Sequence, residues 1–291
     1  MPNAPFGFLN INKPGGLTSH DVVAKIRRGL RIKKVGHAGT LDPMATGVLI
    51  ICLGGATRLS EYAMHTTKRY RATVRLGSTT DTYDAEGEVL TQTDASHITR
   101  TDVEQALLPF IGEIEQYPPM YSAIKQGGHK LYELARAGEV VERQARLVTI
   151  ERLTLEAWSS PEFVLDVVCS SGTYIRSLAY DLGEALGVGA HLSGLVRTAS
   201  GAFHLEDAVD LESLLADDDW AQHLWTPERA LADWPALHLS AEDADHVLHG
   251  RAIQGYTAAG EMACAYAPDG QLIAILKADA LLWKPHKVFN S

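Results

Sequence analysis

The sequence predicts an α+β fold with a mixed sheet, on two observations. Strand-like runs are interspersed with helical stripes, and two of the longest runs, Leu147 to Trp158 and Phe163 to Cys169, are separated only by Ser159-Ser160-Pro161-Glu162. Four residues of that kind suit a hairpin and are too few for a crossover helix. In chain order, a first strand runs from about Phe8 to Asn12. Ser19 then serves as helix N-cap for Val22, Val23, Ile26 and Leu30, whose spacing gives one apolar stripe. Val48-Leu49-Ile50-Ile51-Cys52-Leu53, bounded by Gly47 and Gly54, reads as a buried strand. Ala56 to Tyr62 is a short helix, Tyr70 to Leu76 alternates like a half-buried strand, and a helix lies around Thr101 to Phe110. Thr173 to Leu186 is helical and ends at Gly187-Val188-Gly189. The acidic stretch Glu206 to Asp219 leads into a separate unit, with a helix over Ala241 to Gly250 and strands over Met262 to Ala267 and Leu272 to Ala278. The expected division is residues 1–232 and 233–291.

With 291 residues and 46% hydrophobic content, the chain has material for a large core and a second small domain. No apolar run approaches a membrane span, and Met1-Pro2-Asn3-Ala4-Pro5-Phe6 lacks the pattern of a secretory signal, so a cytoplasmic location is expected. Cys52, Cys169 and Cys264 are scattered without metal-ligand spacing, which argues against a zinc site and a disulfide framework. Neither a metal nor a cofactor is expected. The net charge of −10 is unevenly placed: residues 1–200 carry 21 Lys+Arg against 21 Asp+Glu, and residues 201–291 carry 5 against 15. Within the neutral part, Lys25, Arg27, Arg28, Arg31, Lys33 and Lys34 form one basic cluster and Lys68, Arg69, Arg71 and Arg75 a second. Such clusters supply phosphate contacts.

The most informative stretch is Gly36-His37-Ala38-Gly39-Thr40-Leu41-Asp42-Pro43-Met44-Ala45, running into Thr46-Gly47-Val48-Leu49. Glycines permit close approaches, and Pro43 pushes Asp42 out of the helical region. A carboxylate is thereby held on a stiff loop anchored by a core strand, the arrangement a catalytic group needs. Taken alone, these residues imply an enzyme with an activated Asp near basic patches. An RNA-binding module and an Asp-dependent hydrolase of small molecules stay open on that reading.

The loop resembles the signature of the TruB type of tRNA pseudouridine synthase, Gly-His-x-Gly-x-Leu-Asp-Pro-x-Ala-x-Gly. Further blocks resemble the family in order: Leu9 to Ser19 with its Lys13-Pro14 turn, Lys68 to Ala72 with Leu76 to Asp84, Pro118 to Lys125 with Gly128 to Arg136, Cys169 to Leu178, and Leu195 to Thr198. The resemblance implies the largely antiparallel sheet of the pseudouridine synthase fold with flanking helices, an RNA-gripping insertion at about 118–146 and a small β-rich, PUA-like C-terminal domain. It implies isomerisation of the T-loop uridine at tRNA position 55, with the T-arm as partner, no obligate protein partner and a monomer; the rival is an RNA-binding or tRNA-folding module in which catalysis is dispensable. Asp42 is the implied catalytic carboxylate. Arg176 pairs with it and is expected to lower its pKa. Tyr70 stacks on a flipped uracil with its hydroxyl near carbon 5, Tyr174 adds to that contact, Leu195 closes the pocket and Lys13 buttresses it. His37 takes the stacking place the uracil vacates, and Lys125, Lys130, Arg136 and Arg197 grip the RNA backbone.

Overall fold

The structure, a computed structural model, describes residues 5–121, 125–126, 129–130, 143–232 and 234–289, with the backbone alone at 125–126 and 129–130. Its larger sheet has eleven strands. The main path runs Val209–Asp210, Gly7–Lys13, Thr46–Leu53, Ala190–Ser200, Lys68–Leu76, Glu162–Cys169, Arg146–Ser159, Gly112–Gln116. Leu224–Trp225 flanks the second of these, Val35–Ala38 the third and Phe203–His204 the fourth. Gly7–Lys13 runs parallel to Val209–Asp210, and Thr46–Leu53 to Ala190–Ser200; the other pairings are antiparallel, giving the mixed, largely antiparallel sheet expected. A second sheet of five strands runs Ala236–His238, Met262–Tyr266, Leu272–Asp279, Leu282–Val288, Ile253–Gln254, with the Ala241–Leu248 helix beside it.

Helices Ser19–Gly29, Arg100–Leu107, Ile175–Ala185 and Leu211–Ala216 cover one face of the large sheet, where Val22, Ile26, Val103, Leu178 and Leu214 meet Ile11, Leu49, Ile51 and Val74. On the other face Val48, Ile50 and Cys52 pack with Cys264, Ile275 and Phe289 of the second sheet. Coverage on both faces explains why the Thr46–Leu53 strand is apolar without alternation. The Lys68–Leu76 strand is covered on one side and alternates accordingly, with Arg69, Arg71 and Arg75 outward.

Several local expectations are corrected. The first helix is capped by Thr18, not Ser19: Asp21 N–H donates to Thr18 Oγ1 at 3.1 Å and Thr18 N–H donates to Asp21 Oδ2 at 2.9 Å, a capping box. Ser19 is buried and bonds the signature loop instead, accepting from Leu41 N–H at 2.9 Å and donating to Leu41 O at 3.2 Å. The helix read over Ala56 to Tyr62 is a 3-10 segment, Gly54–Leu59, followed by Ser60–Met64. The sequence reading holds no strand over Ala190–Ser200, yet this strand joins the two halves of the sheet. Register shifts between Leu192 and Gly194 and between Arg197 and Ala199 break its alternation, which hides it in the sequence.

Loss of the Thr18 cap in Thr18→Ala is expected to cost about 1 kcal/mol. Ser19→Ala, which orphans the Leu41 amide and carbonyl, is expected to cost more, about 1–3 kcal/mol. Urea unfolding midpoints at unchanged m-value read both.

Candidate active site

The signature loop links the Val35–Ala38 and Thr46–Leu53 strands and is held from beneath at each residue around Asp42. Ser19 fixes Leu41. The Lys13 ammonium, fully buried, donates to Pro43 O at 3.1 Å, Leu17 O at 2.6 Å and Pro14 O at 2.9 Å. Gly16 N–H also donates to Pro43 O, at 2.9 Å. Burial pulls the Lys13 pKa down to about 8, against the pull of Asp42. Arg197 lies on the Ala190–Ser200 strand at 1% exposure and donates through Nε to Val48 O at 2.7 Å, through Nη2 to Gly39 O at 3.0 Å and through Nη1 to Thr40 O at 3.5 Å. Gly47 makes this approach possible: at φ +93° it sits so close to the neighbouring strand that a Cβ would stand 2.3 Å from Arg197 O. Arg197 is therefore a strut under the loop. Its expected role on the RNA backbone is corrected, because its donors are spent on carbonyls and it does not reach the surface.

Asp42 and Arg176 meet side on. Arg176 Nε lies 3.0 Å from Asp42 Oδ2 and Nη2 lies 3.1 Å from Oδ1, a two-point pair in which Arg176 is 6% exposed and Asp42 32%. The carboxylate is thus the accessible end. The rest of the guanidinium is also engaged: Nη1 donates to Thr82 O at 3.2 Å and faces Asp84 Oδ2 at 3.4 Å, and Nη2 donates to Tyr121 O at 2.9 Å. Asp84 is 3% exposed, and its other oxygen accepts from Thr82 Oγ1 at 2.6 Å and Glu86 N–H at 3.1 Å. One buried cation therefore serves two carboxylates. Withdrawal from water pushes the Asp42 carboxyl above the ordinary carboxylate range; Arg176 opposes this and Asp84 adds to it. The expected net lowering by Arg176 is corrected, because burial and a second carboxylate outweigh a shared guanidinium.

Tyr70 lies on the Lys68–Leu76 strand at 9% exposure, opposite Arg197 in register, and burial pushes its hydroxyl pKa up. The same phenol interacts with the Arg197 guanidinium and feels Asp42. Leu195 is buried two residues before Arg197 on the same strand. Tyr174 is half-buried at the start of the Ile175–Ala185 helix, where its N–H donates to Gln116 Oε1 at 2.7 Å and its carbonyl accepts from Gln116 Nε2 at 3.0 Å. His37 lies edge-on to His20 with ring centroids 5.4 Å apart, and burial lowers its pKa to about 4. It is neutral above that pH. Lys125 and Lys130 face each other across a two-residue pairing whose side chains fall outside the described atoms; Arg136 lies outside the described residues. Sequence reasoning missed Asp84, Gln116 and Ser19 as positioning groups. Asp84 ends the Leu76 to Asp84 block, but no local pattern says that its carboxylate returns to Arg176.

Family models match the chain almost end to end: TruB family pseudouridylate synthase, N-terminal domain, over residues 27–175; tRNA pseudouridylate synthase B C-terminal domain over 176–233; and tRNA pseudouridine synthase II, C terminal, over 234–290. The chain belongs to the TruB family of pseudouridylate synthases. It is 54% identical over 247 residues to the tRNA pseudouridine synthase B of Symbiobacterium thermophilum, covering 84% of this chain and 82% of that one. It is 44% identical over 290 residues to the same enzyme of Dehalococcoides mccartyi, covering 98% and 97%. Among solved structures, a Cbf5-Nop10-Gar1 complex holds a chain that superposes with a TM-score of 0.79 at 28% identity, covering 98% of this chain and 85% of that one.

The two basic clusters of this TruB-family chain differ. Lys25, Arg27, Arg28, Arg31, Lys33 and Lys34 are exposed and form no ion pair among the described residues. The second cluster is buried or paired. Lys68 is buried with its ammonium on Met64 O and the Thr66 carbonyl, Arg69 pairs with Asp166 at 2.6 Å, Arg71 with Glu156 at 3.1 Å and Arg75 with Glu162 at 3.6 Å. Among the described residues no helix is long and apolar enough to cross a membrane.

If Asp42 must be ionised, the rate of pseudouridine formation falls as pH drops through a value above the ordinary carboxylate pKa of about 4. Asp84→Asn removes a charge that raises that value, so the acid limb of the single-turnover rate is expected to move to lower pH while the plateau rate falls. A pH–rate profile of both proteins checks the direction.

Proposed function

We propose that this chain converts the uridine at tRNA position 55, in the T-loop, to pseudouridine. The observation that carries the proposal is the Asp42–Arg176 pair, in which the buried partner holds a carboxylate at the accessible end of a loop pinned at Gly39, Thr40, Leu41 and Pro43. The reaction breaks the bond between uracil N1 and ribose C1′, turns the base while it is bound, joins C5 to C1′ and releases the C5 proton. Ionised Asp42 starts it, by adding to the substrate or by taking a ribose proton. Arg176 fixes the carboxylate's orientation. Tyr70 stacks on the uracil with its protonated hydroxyl toward the reacting edge, Tyr174 adds to that contact, and Leu195 supplies the apolar wall.

A T-loop uridine reaches the carboxylate only after extrusion, which costs a few kcal/mol. His37, neutral at physiological pH and five residues before Asp42, takes the vacated stacking place. The insertion at about 118–146, with Lys125, Lys130 and Arg136, grips the RNA backbone; its ends lie together, since Arg146 pairs with Gln116 in register. The exposed cations of the first helix add phosphate contacts. Residues 1–232 form the catalytic domain and 233–291 a PUA-like RNA-binding domain, and the protein acts in the cytoplasm as a monomer without an obligate protein partner.

The test incubates unmodified T-arm RNA with wild type and Asp42→Asn, maps pseudouridine by nucleotide-resolved chemical labelling and measures binding in parallel. Product at the T-loop uridine from wild type alone is expected, with the variant slower by roughly 10⁴-fold or more and its affinity retained. Binding without product from folded wild type would transfer the reading to an RNA-binding or tRNA-folding module.

A further inference from the structure

Thr82, Tyr83 and Asp84 approach Arg176 in a way that an extended chain does not allow. Alternate residues of a strand share a face, and the carbonyl of one and the carboxylate of the next-but-one do not converge on a single nitrogen. Here both do, on Arg176 Nη1, at 3.2 Å from Thr82 O and 3.4 Å from Asp84 Oδ2. The residue between them makes the turn. Tyr83 has φ +64°, a left-handed conformation that a bulky side chain rarely adopts without compensation. Its N–H donates to Thr80 O at 3.2 Å, closing a local turn, and its carbonyl accepts from Leu192 N–H at 3.0 Å, which ties the turn to the Ala190–Ser200 strand.

The compensation is aromatic. Tyr83 stacks on Tyr180, with ring centroids 4.1 Å apart and planes inclined by 22°. Tyr180 is four residues beyond Arg176 on the Ile175–Ala185 helix, hence on the same helix face. The helix thereby holds the 82–84 turn at two points one turn apart, a guanidinium and a ring.

We propose that the Tyr83–Tyr180 stack is a positioning device for catalysis: it holds Tyr83 in its left-handed turn so that Thr82 O and Asp84 Oδ2 both stay on Arg176, which in turn aims Asp42. The inference rests on the reading of Asp42 and Arg176 as the pair that acts on uridine. Neither tyrosine touches the reacting atoms in this arrangement, and the stack works through Arg176. Alanine at 83 keeps the Cβ that disfavours the turn but brings no ring, and phenylalanine at either position keeps the ring without its hydroxyl.

The test measures single-turnover pseudouridine formation at saturating T-arm RNA, RNA affinity and melting temperature for Tyr83→Ala, Tyr83→Phe, Tyr180→Leu and Tyr180→Phe, with a crystal structure of Tyr83→Ala. The single-turnover rate is expected to fall about 10- to 100-fold in Tyr83→Ala and Tyr180→Leu. The two phenylalanine variants are expected to recover it to within about twofold, with affinity within about twofold throughout. A rate unchanged in Tyr83→Ala and Tyr180→Leu overturns the proposal. So does affinity that weakens in step with the rate, which would make the tyrosines an RNA contact. The crystal structure decides independently of turnover: Thr82 O or Asp84 Oδ2 withdrawn from Arg176 Nη1 supports the device, and both kept within hydrogen-bond distance overturns it even where wild type makes no product. Should Tyr180→Leu fail to fold, the variants at Tyr83, on a half-exposed turn, carry the same comparison.

Discussion

A guanidinium at 6% exposure that faces two carboxylates organises the rest of the site. Alone in the interior, Arg176 would be prohibitive to bury, and either carboxylate alone would leave several of its five N–H groups without partners. The chain meets the demand with groups from three separate segments: Asp42 of the signature loop, Thr82 O and Asp84 of the turn, and Tyr121 O beyond the Gly112–Gln116 strand. Each segment is thereby placed relative to the others. Because the guanidinium is saturated, Asp42 has little freedom to rotate.

Two other buried cations do for the loop backbone what Arg176 does for the side chain. Lys13 and Arg197 bond carbonyl oxygens and no carboxylate among the described residues, so their charge is compensated by dipoles. This is a costly way to hold a loop compared with apolar packing. It gives directional control over carbonyls that no apolar contact supplies, on both sides of Asp42. The Lys13 pKa of about 8 registers the cost. It also means that Lys13 keeps its charge, and the loop its strut, through neutral pH.

The parts of this arrangement that sequence revealed are those whose pattern is local. Thr46–Leu53 was readable because a strand buried on both faces must be apolar at every position, and Lys68–Leu76 because one-sided burial imposes alternation. The Asp42 loop was readable because its glycines and proline are dense enough to form a signature. Ala190–Ser200 was not, since two register shifts scramble its period. The cap at Thr18 was assigned one residue late because Thr and Ser both suit it, and only the tertiary pull of Leu41 on Ser19 decides between them. Asp84 and Gln116 act across 92 and 58 residues of chain, on Arg176 and Tyr174, and such pairings leave no trace in any window of sequence.

Charge is the property for which a count along the chain misleads most. The sequence shows two basic clusters in a region of no net charge, yet one is paired with its neighbours: Arg69, Arg71 and Arg75 project from alternate positions of one strand toward Asp166, Glu156 and Glu162 of the adjoining hairpin. Arg152 closes the ladder on Asp166 at 2.8 Å. What remains free is the first helix and the segment leading from it into the Val35–Ala38 strand, continuous in the chain with His37 and Asp42. The unpaired positive charge therefore lies next in the chain to the signature loop. With 15 acidic against 5 basic residues in the last 91 positions, the remainder of the chain reinforces that asymmetry. Net charge alone argues against a nucleic-acid partner; the positive charge left after local pairing argues for one.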